Sequence, residues 1–177
     1  MIIWVNGAFG SGKTTLVDEV RGRLPEALVF DPEEVGFLLR RVVPEPSGDF
    51  QDLPLWRRQV VSLAAGLAAE YGRPVLVPMT LVRPAYLAEV FGGLAAAGVP
   101  ARHFFLRVPD EVLVARIDGR SFFPDDPARD EKVRAWCRSR IAECRAAEAA
   151  MPPETAFLDG GLTPAQLADL LLADVAL

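Results

Sequence analysis

The sequence is poor in the side chains that hold zinc or iron in proteins. It contains one histidine, His103, and two cysteines, Cys137 and Cys144, among 177 residues. Because a structural zinc site uses four such ligands, we expect no zinc or iron centre. The cysteines are seven positions apart in a helical stretch, which separates their Cα atoms by ~10 Å and excludes a disulfide bond between them.

Long apolar runs and a surplus of positive charge are also absent. No uninterrupted apolar segment reaches the length of a transmembrane helix, and no basic region precedes the first apolar residues as it would in a secretory signal. The net charge of −5 argues against a nucleic-acid-binding protein, which normally carries a basic face. We therefore expect one domain, residues 1–177, that is cytoplasmic, reduced and free of nucleic acid.

Short apolar segments alternate with amphipathic ones along the chain. The short segments are apolar on both faces, as in parallel strands covered by helices on both sides. This alternation predicts an α/β fold with a parallel sheet and right-handed crossovers. The predicted strands are Ile2–Asn6, Ala27–Phe30, Pro74–Pro78, His103–Val108 and Thr155–Leu158. Apolar residues at helical spacing in the second and third helices are Val35, Leu38, Leu39, Val42, Leu63 and Leu67.

The residues after the first strand match the pattern G-x-x-x-x-G-K-[ST] at every fixed position. Glycines let successive backbone N–H groups point at a phosphate, and the N-terminus of the following helix adds partial positive charge. We therefore predict that an ATP-like triphosphate binds here, rather than that this is a glycine-rich turn with an incidental lysine. Lys13 is expected to reach the β- and γ-phosphates and the Thr14 hydroxyl to ligate Mg²⁺. The expected nucleotide-binding residues are Gly7, Ala8, Phe9, Gly10, Ser11, Gly12, Lys13, Thr14 and Thr15.

Asp31 is expected at the carboxyl end of the second strand, the edge where open α/β sheets bind ligands. A carboxylate there can take the proton of an acceptor hydroxyl and orient it toward the γ-phosphate, as a general base does. Asp31 also precedes Pro32 and two glutamates, which makes it a good N-cap for the next helix. The sequence leaves both roles open.

Arg116 and Arg120 are four positions apart, on one face of the predicted helix that precedes a Pro- and Asp-rich loop. An arginine pair at the entry of a lid can stabilise charge on a transferring phosphoryl group. A solvated helix face with salt bridges is the alternative in an arginine-rich chain. We predict a lid at residues 116–135, with Arg129, Arg134 and Arg138 as further candidates.

The third strand lacks the acidic residue that P-loop proteins often carry at its end. Residues 75–80 read Val-Leu-Val-Pro-Met-Thr, so Mg²⁺ would depend on Thr14, the phosphates and water. The base-reading string N/T-K-x-D of GTPases is absent from the sequence, and the chain length suits small P-loop kinases. An acceptor-binding region is predicted at residues 32–72, where Trp56 and Arg57 flank the Pro- and Gly-rich loop Pro44–Pro54.

The last predicted helix carries an apolar stripe of Leu167, Leu170, Leu171 and Val175. A helix that lies on a membrane surface needs lysine or arginine on its polar face, whereas the charged residues of this helix are Asp169 and Asp174. The pattern favours packing against the core over association with a membrane.

Several strings around these motifs are specific. They are residues 1–14 (MIIWVNGAFGSGKT), 30–33 (FDPE) with 36–37 (GF), 49–52 (DFQD) with 54–57 (PLWR), and 77–80 (VPMT). Together they resemble the bacterial tunicamycin-resistance family of P-loop proteins. The resemblance covers roughly the first half of the chain.

The resemblance implies a fold similar to nucleoside-monophosphate and shikimate-type kinases, with sheet order 2-3-1-4-5, helices on both faces and a lid. Asp31 would match the aspartate after the second strand of chloramphenicol phosphotransferase, a relative in that superfamily. The expected function is an ATP- and Mg²⁺-dependent phosphotransferase that acts on tunicamycin or a similar nucleoside-like hydroxyl compound, with Lys13, Asp31, Arg116 and Arg120 as catalytic residues. The alternatives are ATP-gated sequestration of the drug without turnover and a metabolic kinase for a sugar, nucleoside or nucleotide. The oligomeric state and the choice between ATP and GTP stay open.

Overall fold

The computed structural model describes residues 1–43 and 48–175, so residues 44–47 of the predicted Pro44–Pro54 loop lie outside the described part. Strands and helices alternate through the described residues. The strands are β1 (Ile2–Gly7), β2 (Leu28–Val29), β3 (Val75–Pro78), β4 (Ala101–Arg107) and β5 (Ala156–Asp159). The helices are α1 (Lys13–Arg23), α2 (Pro32–Val42), α3 (Pro54–Tyr71), α4 (Pro84–Ala96), α5 (Asp110–Asp118), α6 (Pro127–Ser139), α7 (Ile141–Ala147) and α8 (Pro164–Val175).

The strands form one parallel sheet in the order β2-β3-β1-β4-β5. This order confirms the predicted α/β class and sheet topology, and each strand begins and ends within two residues of its predicted bounds. Strand β1 lies in the centre, where Ile2 pairs with Val75 of β3 and Ala101 of β4. The phosphate-binding pattern therefore leaves the sheet at its middle, between the two halves.

Side chains of β1 alternate between two apolar layers because successive residues of a strand point to opposite faces. Ile2 and Trp4 pack in the layer covered by α2, α3 and α4. Ile3 and Val5 pack in the opposite layer, under α1 and α8. All four side chains are fully buried, which explains why the strand is a continuous apolar run.

A close contact joins α2 to the 3-10 turn Phe50–Asp52 that precedes α3. Gly36 faces the ring of Phe50, and a Cβ atom at Gly36 would come within 2.5 Å of that ring. The buried Trp56 of α3 donates a hydrogen bond from Nε1 to the carbonyl oxygen of Pro32 at 3.0 Å. The beginning of α2 is therefore held against α3 by a ring–backbone contact and a buried hydrogen bond.

The predicted apolar positions of the second and third helices are only partly buried. Leu38 is 53% exposed, Val42 is 70% exposed and Leu63 is 44% exposed. Helix α2 packs through Val35 and Leu39. The helical spacing of the apolar residues therefore does not by itself place Leu38, Val42 and Leu63 in the core.

Helix α8 packs on the core, as predicted. Leu167 and Leu171 are buried against the layer beside β1, while Asp169 pairs with Arg23 of α1 at 2.5 Å. Asp174 accepts two hydrogen bonds from Arg102 of β4. None of the helices among the described residues combines the length and the apolar character that crossing a membrane requires.

Candidate active site

The glycine-rich loop connects β1 to α1 through backbone conformations that favour glycine. Gly10 has φ +81° and Gly12 has φ +98°. A Cβ atom at Gly12 would meet nothing within 4 Å, so glycine is required there by its left-handed conformation and not by crowding. The open space in front of Gly12 lies at the N-terminus of α1, where a phosphate group would be received.

The N-terminus of α1 is free to receive an anion. No acidic residue lies in its first turn, and no side chain caps it. The Ser11 hydroxyl is buried in the loop and has no hydrogen-bond partner among the described residues. Buried polar atoms are rarely left unpaired, and an unpaired hydroxyl beside free backbone N–H groups fits a phosphate ligand.

Lys13 lies against its own loop. Its ammonium group donates to the carbonyl oxygens of Gly7 at 3.0 Å and Ala8 at 2.9 Å. It also lies 5.5 Å from the centroid of the Phe9 ring. Burial disfavours the charged form and lowers the pKa of Lys13 from 10.5 to about 8, so a phosphate ligand would restore the lost stabilisation of its charge.

Metal ligands are few in this region. Thr14 and Thr15 are exposed at the start of α1, and the described residues contain no group of three or more His, Cys, Asp or Glu side chains suited to a metal ion. Mg²⁺ commonly keeps several waters and is held largely by substrate phosphates. The Thr14 hydroxyl fits an ion of that kind.

Many P-loop proteins carry an acidic residue after the third strand. In this chain the neutral Thr80 lies there, two residues after β3 ends. Thr80 donates from its hydroxyl to the Gly7 carbonyl oxygen at 2.7 Å. The Thr80 carbonyl oxygen accepts a 2.9 Å bond from the side chain of Gln51. Thr80 thus connects the phosphate loop to the segment before α3.

A buried amide fixes the first residue of the loop. The Asn6 oxygen accepts hydrogen bonds from the backbone N–H groups of Gly7 at 2.7 Å and Leu81 at 3.0 Å, and its nitrogen donates to the Leu81 carbonyl oxygen at 2.6 Å. These three backbone partners fix the orientation of the amide. The remaining N–H then donates to Nε2 of His103 at 3.1 Å.

His103 must therefore carry its proton on Nδ1, which donates to the Thr155 hydroxyl at 2.9 Å. Burial, helped by the charge of Arg102, lowers the pKa of His103 to about 4. The lone histidine is thus a neutral core residue that supports Asn6. Its link to the phosphate loop through Asn6 could not be predicted from the sequence.

Asp31 follows β2 and faces the phosphate loop. Its carboxylate accepts a hydrogen bond from the backbone N–H of Glu33 at 2.9 Å, which makes it the N-cap of α2. The side chain is exposed, yet the surrounding cleft walls reduce its hydration and raise its pKa, an effect that the Glu33 N–H and the charge of Lys13 oppose. One carboxylate oxygen caps the helix, and the other remains available.

Glu33 is a second carboxylate in this cleft, and the sequence analysis missed its role. Its partial burial and the neighbouring charge of Asp31 raise its pKa, whereas the charges of Lys13 and Arg120 lower it. The charges of Asp31, Lys13 and Arg120 therefore all act on the Glu33 carboxylate. The one feature of the sequence that could have identified Glu33 is its position in the first turn of α2, two residues after Asp31.

The predicted arginine pair does not share a helix face. Helix α5 ends at Asp118, so Arg120 lies beyond the helix, where its guanidinium group is 4.6 Å from the centroid of the Phe122 ring. Arg116 is exposed, and it donates at 3.4 Å to the carbonyl oxygens of Gly10 and Ser11 in the loop. Both arginines border the phosphate loop, but from different elements.

The other candidate arginines serve the lid and the core instead. Arg134 binds Asp130 and Glu131, and Arg138 binds Asp118 and Glu131. Trp56 is fully buried, and Arg57 is 8% exposed with a 2.5 Å bond to Glu89. The expectations that Arg134 and Arg138 face the phosphates and that Trp56 and Arg57 line an acceptor pocket find no support in these contacts.

Helices α6 and α7 pack against the phosphate loop. Trp136 of α6 contacts Phe9 of the loop edge-on, with 4.9 Å between ring centroids. Arg140, between α6 and α7, lies 3.8 Å from the carboxylate of Asp49. The cleft is therefore bounded by the loop, the start of α2, the segment at Asp49 and the lid.

This sheet order, with a glycine-rich loop between the central strand and α1, defines a P-loop protein of the kinase type. The family model for the AAA domain matches residues 2–144. The chain is 31% identical to the tunicamycin resistance protein of Deinococcus radiodurans, with a TM-score of 0.76 and 99% of this chain and 95% of that chain covered. The chain therefore belongs to the AAA domain family and, within its P-loop kinase-like members, to the tunicamycin-resistance proteins.

More distant solved structures share the fold alone. A gluconokinase from Sinorhizobium meliloti is 17% identical, with a TM-score of 0.67 and coverage of 98% of this chain and 90% of that one. An APS kinase from Mycobacterium tuberculosis, solved with AMPPNP and APS, is 19% identical, with a TM-score of 0.64 and coverage of 99% and 97%. No curated protein matches the chain significantly.

Proposed function

We propose that this protein is an ATP-dependent phosphotransferase that phosphorylates a hydroxyl group of tunicamycin or a similar nucleoside-like compound. The observation that carries the proposal is the Asp31 carboxylate, which follows β2 at the end of the sheet that carries the phosphate loop and caps α2 through one oxygen only. The charge of Lys13 acts on this carboxylate, as expected of an acid–base group near the phosphates.

The residues divide the work between binding and proton transfer. Lys13 and the backbone N–H groups before it hold the phosphates, and Thr14 holds Mg²⁺. Bound ATP supplies the γ-phosphoryl group and leaves as ADP. Asp31 takes the proton of the acceptor hydroxyl as its oxygen bonds to the γ-phosphorus and the bond from that phosphorus to the bridging oxygen breaks. Arg116 and Arg120 stabilise the charge on the transferring group.

The raised pKa of Asp31 suits a general base. A base is most effective when its pKa lies closer to the working pH, and the cleft shifts Asp31 in that direction. Because Asp31 must be unprotonated to accept a proton, we expect the rate to fall as the pH falls through this raised pKa.

The same site is also compatible with a second function. The similarity to a tunicamycin resistance protein also fits ATP-gated sequestration, in which the drug is bound and not modified. A metabolic kinase for a sugar, nucleoside or nucleotide would use the same residues on another acceptor.

The experiment combines product analysis with a binding control. The protein is incubated with Mg²⁺, tunicamycin and ATP or GTP, and the drug is examined by mass spectrometry for an added phosphoryl group. The Lys13→Ala variant is the matched control. If calorimetry shows that the drug binds and mass spectrometry shows that it stays unmodified, the transferase hypothesis is wrong and the sequestration hypothesis takes its place.

A further inference from the structure

A single tryptophan is exposed among three. Trp4 and Trp56 are fully buried, whereas Trp136 is 44% exposed. A half-exposed indole leaves a large apolar surface in water. Trp136 lies on α6, one residue beyond the predicted lid, and its ring contacts the phosphate loop.

Trp136 lies beside the reaction site. Its ring packs at a steep angle against Phe9 of the phosphate loop, with 4.9 Å between the ring centroids, and the Lys13 ammonium lies 5.5 Å from the centroid of the same Phe9 ring. One contact therefore separates Trp136 from the lysine that would bind the γ-phosphate. The indole therefore borders the phosphate loop on the side of α6.

One guanidinium group, itself paired with carboxylates, lies beside the indole. The Arg140 guanidinium is 6.0 Å from the Trp136 centroid and reaches the Asp49 carboxylate at 3.8 Å. The charge of Asp49 in turn acts on Glu33. An aromatic face bordered by hydrogen-bond donors and acceptors recognises a planar heteroaromatic ring better than an aliphatic chain.

We infer that Trp136 is the stacking platform for a planar heteroaromatic ring of the acceptor, whose hydroxyl then faces Asp31. The inference rests on the proposed function, and it specifies the acceptor as a compound with a nucleobase-like ring. Phe9 holds the platform against the phosphate loop, so that the acceptor ring is positioned relative to the phosphate that it receives.

The test uses the exposure of Trp136 as its own probe. Acrylamide quenches exposed tryptophan selectively, so tunicamycin or uridine should protect the quenchable fluorescence of the wild-type protein. Trp136→Leu should raise the Kd and KM for tunicamycin about 10-fold or more, because base–aromatic stacking contributes ~1–3 kcal/mol, with kcat and the Kd for ATP little changed. Trp136→Phe should retain part of the affinity.

The aromatic control is Phe157→Leu. Phe157 is 36% exposed on β5 and pairs with the Arg107 guanidinium at 3.5 Å, so it matches Trp136 in exposure and in its arginine neighbour. This variant should leave tunicamycin binding unchanged. It separates the loss of a platform from the loss of any surface aromatic residue.

The following results would overturn the inference: unchanged tunicamycin affinity in Trp136→Leu, protection by ATP alone, or protection that follows protein concentration and so reports self-association. If the wild-type protein binds tunicamycin without phosphorylating it, the transferase proposal fails. The Kd values of the Trp136 variants still decide whether the platform exists.

Discussion

The phosphate loop and the acceptor side of the cleft are held in different ways. The loop is fixed by short, buried, mostly neutral hydrogen bonds, such as those of Asn6 and Thr80 to Gly7. The acceptor side is joined by ion pairs between separate elements, such as Arg83 with Asp52 and Glu143. Buried neutral bonds hold one geometry, whereas partly exposed ion pairs contribute little stability each.

This difference suggests a division of labour. The loop is arranged before nucleotide arrives, and the acceptor side can open by exchanging ion pairs with water. Ordered binding sites next to less stable covering elements are common in proteins whose lids move. The division predicts that changes on the two sides affect different steps.

The largest effect is expected from Asp31→Asn. Loss of a general base lowers kcat by about 10²–10⁴-fold, while the affinity for ATP should stay nearly the same. Asparagine is as good an N-cap as aspartate, so the melting temperature should change little. Stopped-flow turnover, ATP calorimetry and thermal unfolding together test the assignment.

Glu33→Gln is the companion to that variant, since it removes the neighbouring carboxylate and leaves the cap intact. Normal turnover in Asp31→Asn with a lower melting temperature would mean that Asp31 only caps α2. If Glu33→Gln lost more activity than Asp31→Asn, Glu33 and not Asp31 would be the residue that accepts the proton of the acceptor hydroxyl.

The next largest effect is expected from Lys13→Ala, on the loop side. Removing a charged group that stabilises a transferring phosphoryl group costs about 10²–10³-fold in kcat, and here ATP affinity should fall as well. Isothermal calorimetry with ATP measures the binding loss. An unchanged ATP affinity would break the proposed division, because the loop would then not hold the phosphates through Lys13.

A smaller effect is expected from pH. Lys13 has a pKa of about 8 in the free protein, and bound phosphates keep it charged, so binding above that pH must take up a proton. Affinity should be flat below about pH 7, fall about twofold between pH 7 and 8 and fall roughly fivefold between pH 8 and 9, as the free lysine loses its proton. Calorimetry in buffers of different ionisation enthalpy would detect the proton uptake, which the Lys13→Ala variant should lack.

The smallest effect is expected from His103→Phe. The aromatic ring keeps the packing on Phe91, whose centroid lies 5.1 Å away, but the second N–H of Asn6 loses its acceptor. A buried donor without a partner costs about 1–3 kcal/mol, so chemical denaturation should show a loss of that order, with a modest decrease in ATP affinity. Unchanged stability would mean that Asn6 finds another acceptor.

The parts of the site that are continuous in sequence could be predicted. The strand, the glycine-rich loop and the first helix carry their own pattern, and the sheet order followed from strand–helix alternation together with the family resemblance. Asp31 could be proposed because it ends a strand. The catalytic roles of Lys13, Asp31, Arg116 and Arg120 remain predictions.

The parts that depend on tertiary contact could not be predicted. Glu33 is a candidate site residue because the charges of Lys13 and Arg120 act on it. Trp136 is a candidate because its ring contacts Phe9. Arg120 was placed on a helix because spacing alone does not show that α5 ends at Asp118. Leu38 of α2 and Leu63 of α3 keep a helical spacing but are 53% and 44% exposed, because spacing alone does not show which residues another element covers.

The contact between Gly36 and Phe50 also sets a boundary for directed evolution. Since any Cβ atom at position 36 would collide with the ring, a mutant library that seeks a new acceptor should leave this pair untouched. Diversity belongs at Phe37, which is 43% exposed one turn after Glu33, and at Trp136. Gly36 and Phe37 are adjacent in α2, so packing fixes one position of this helix and leaves the next one free to vary.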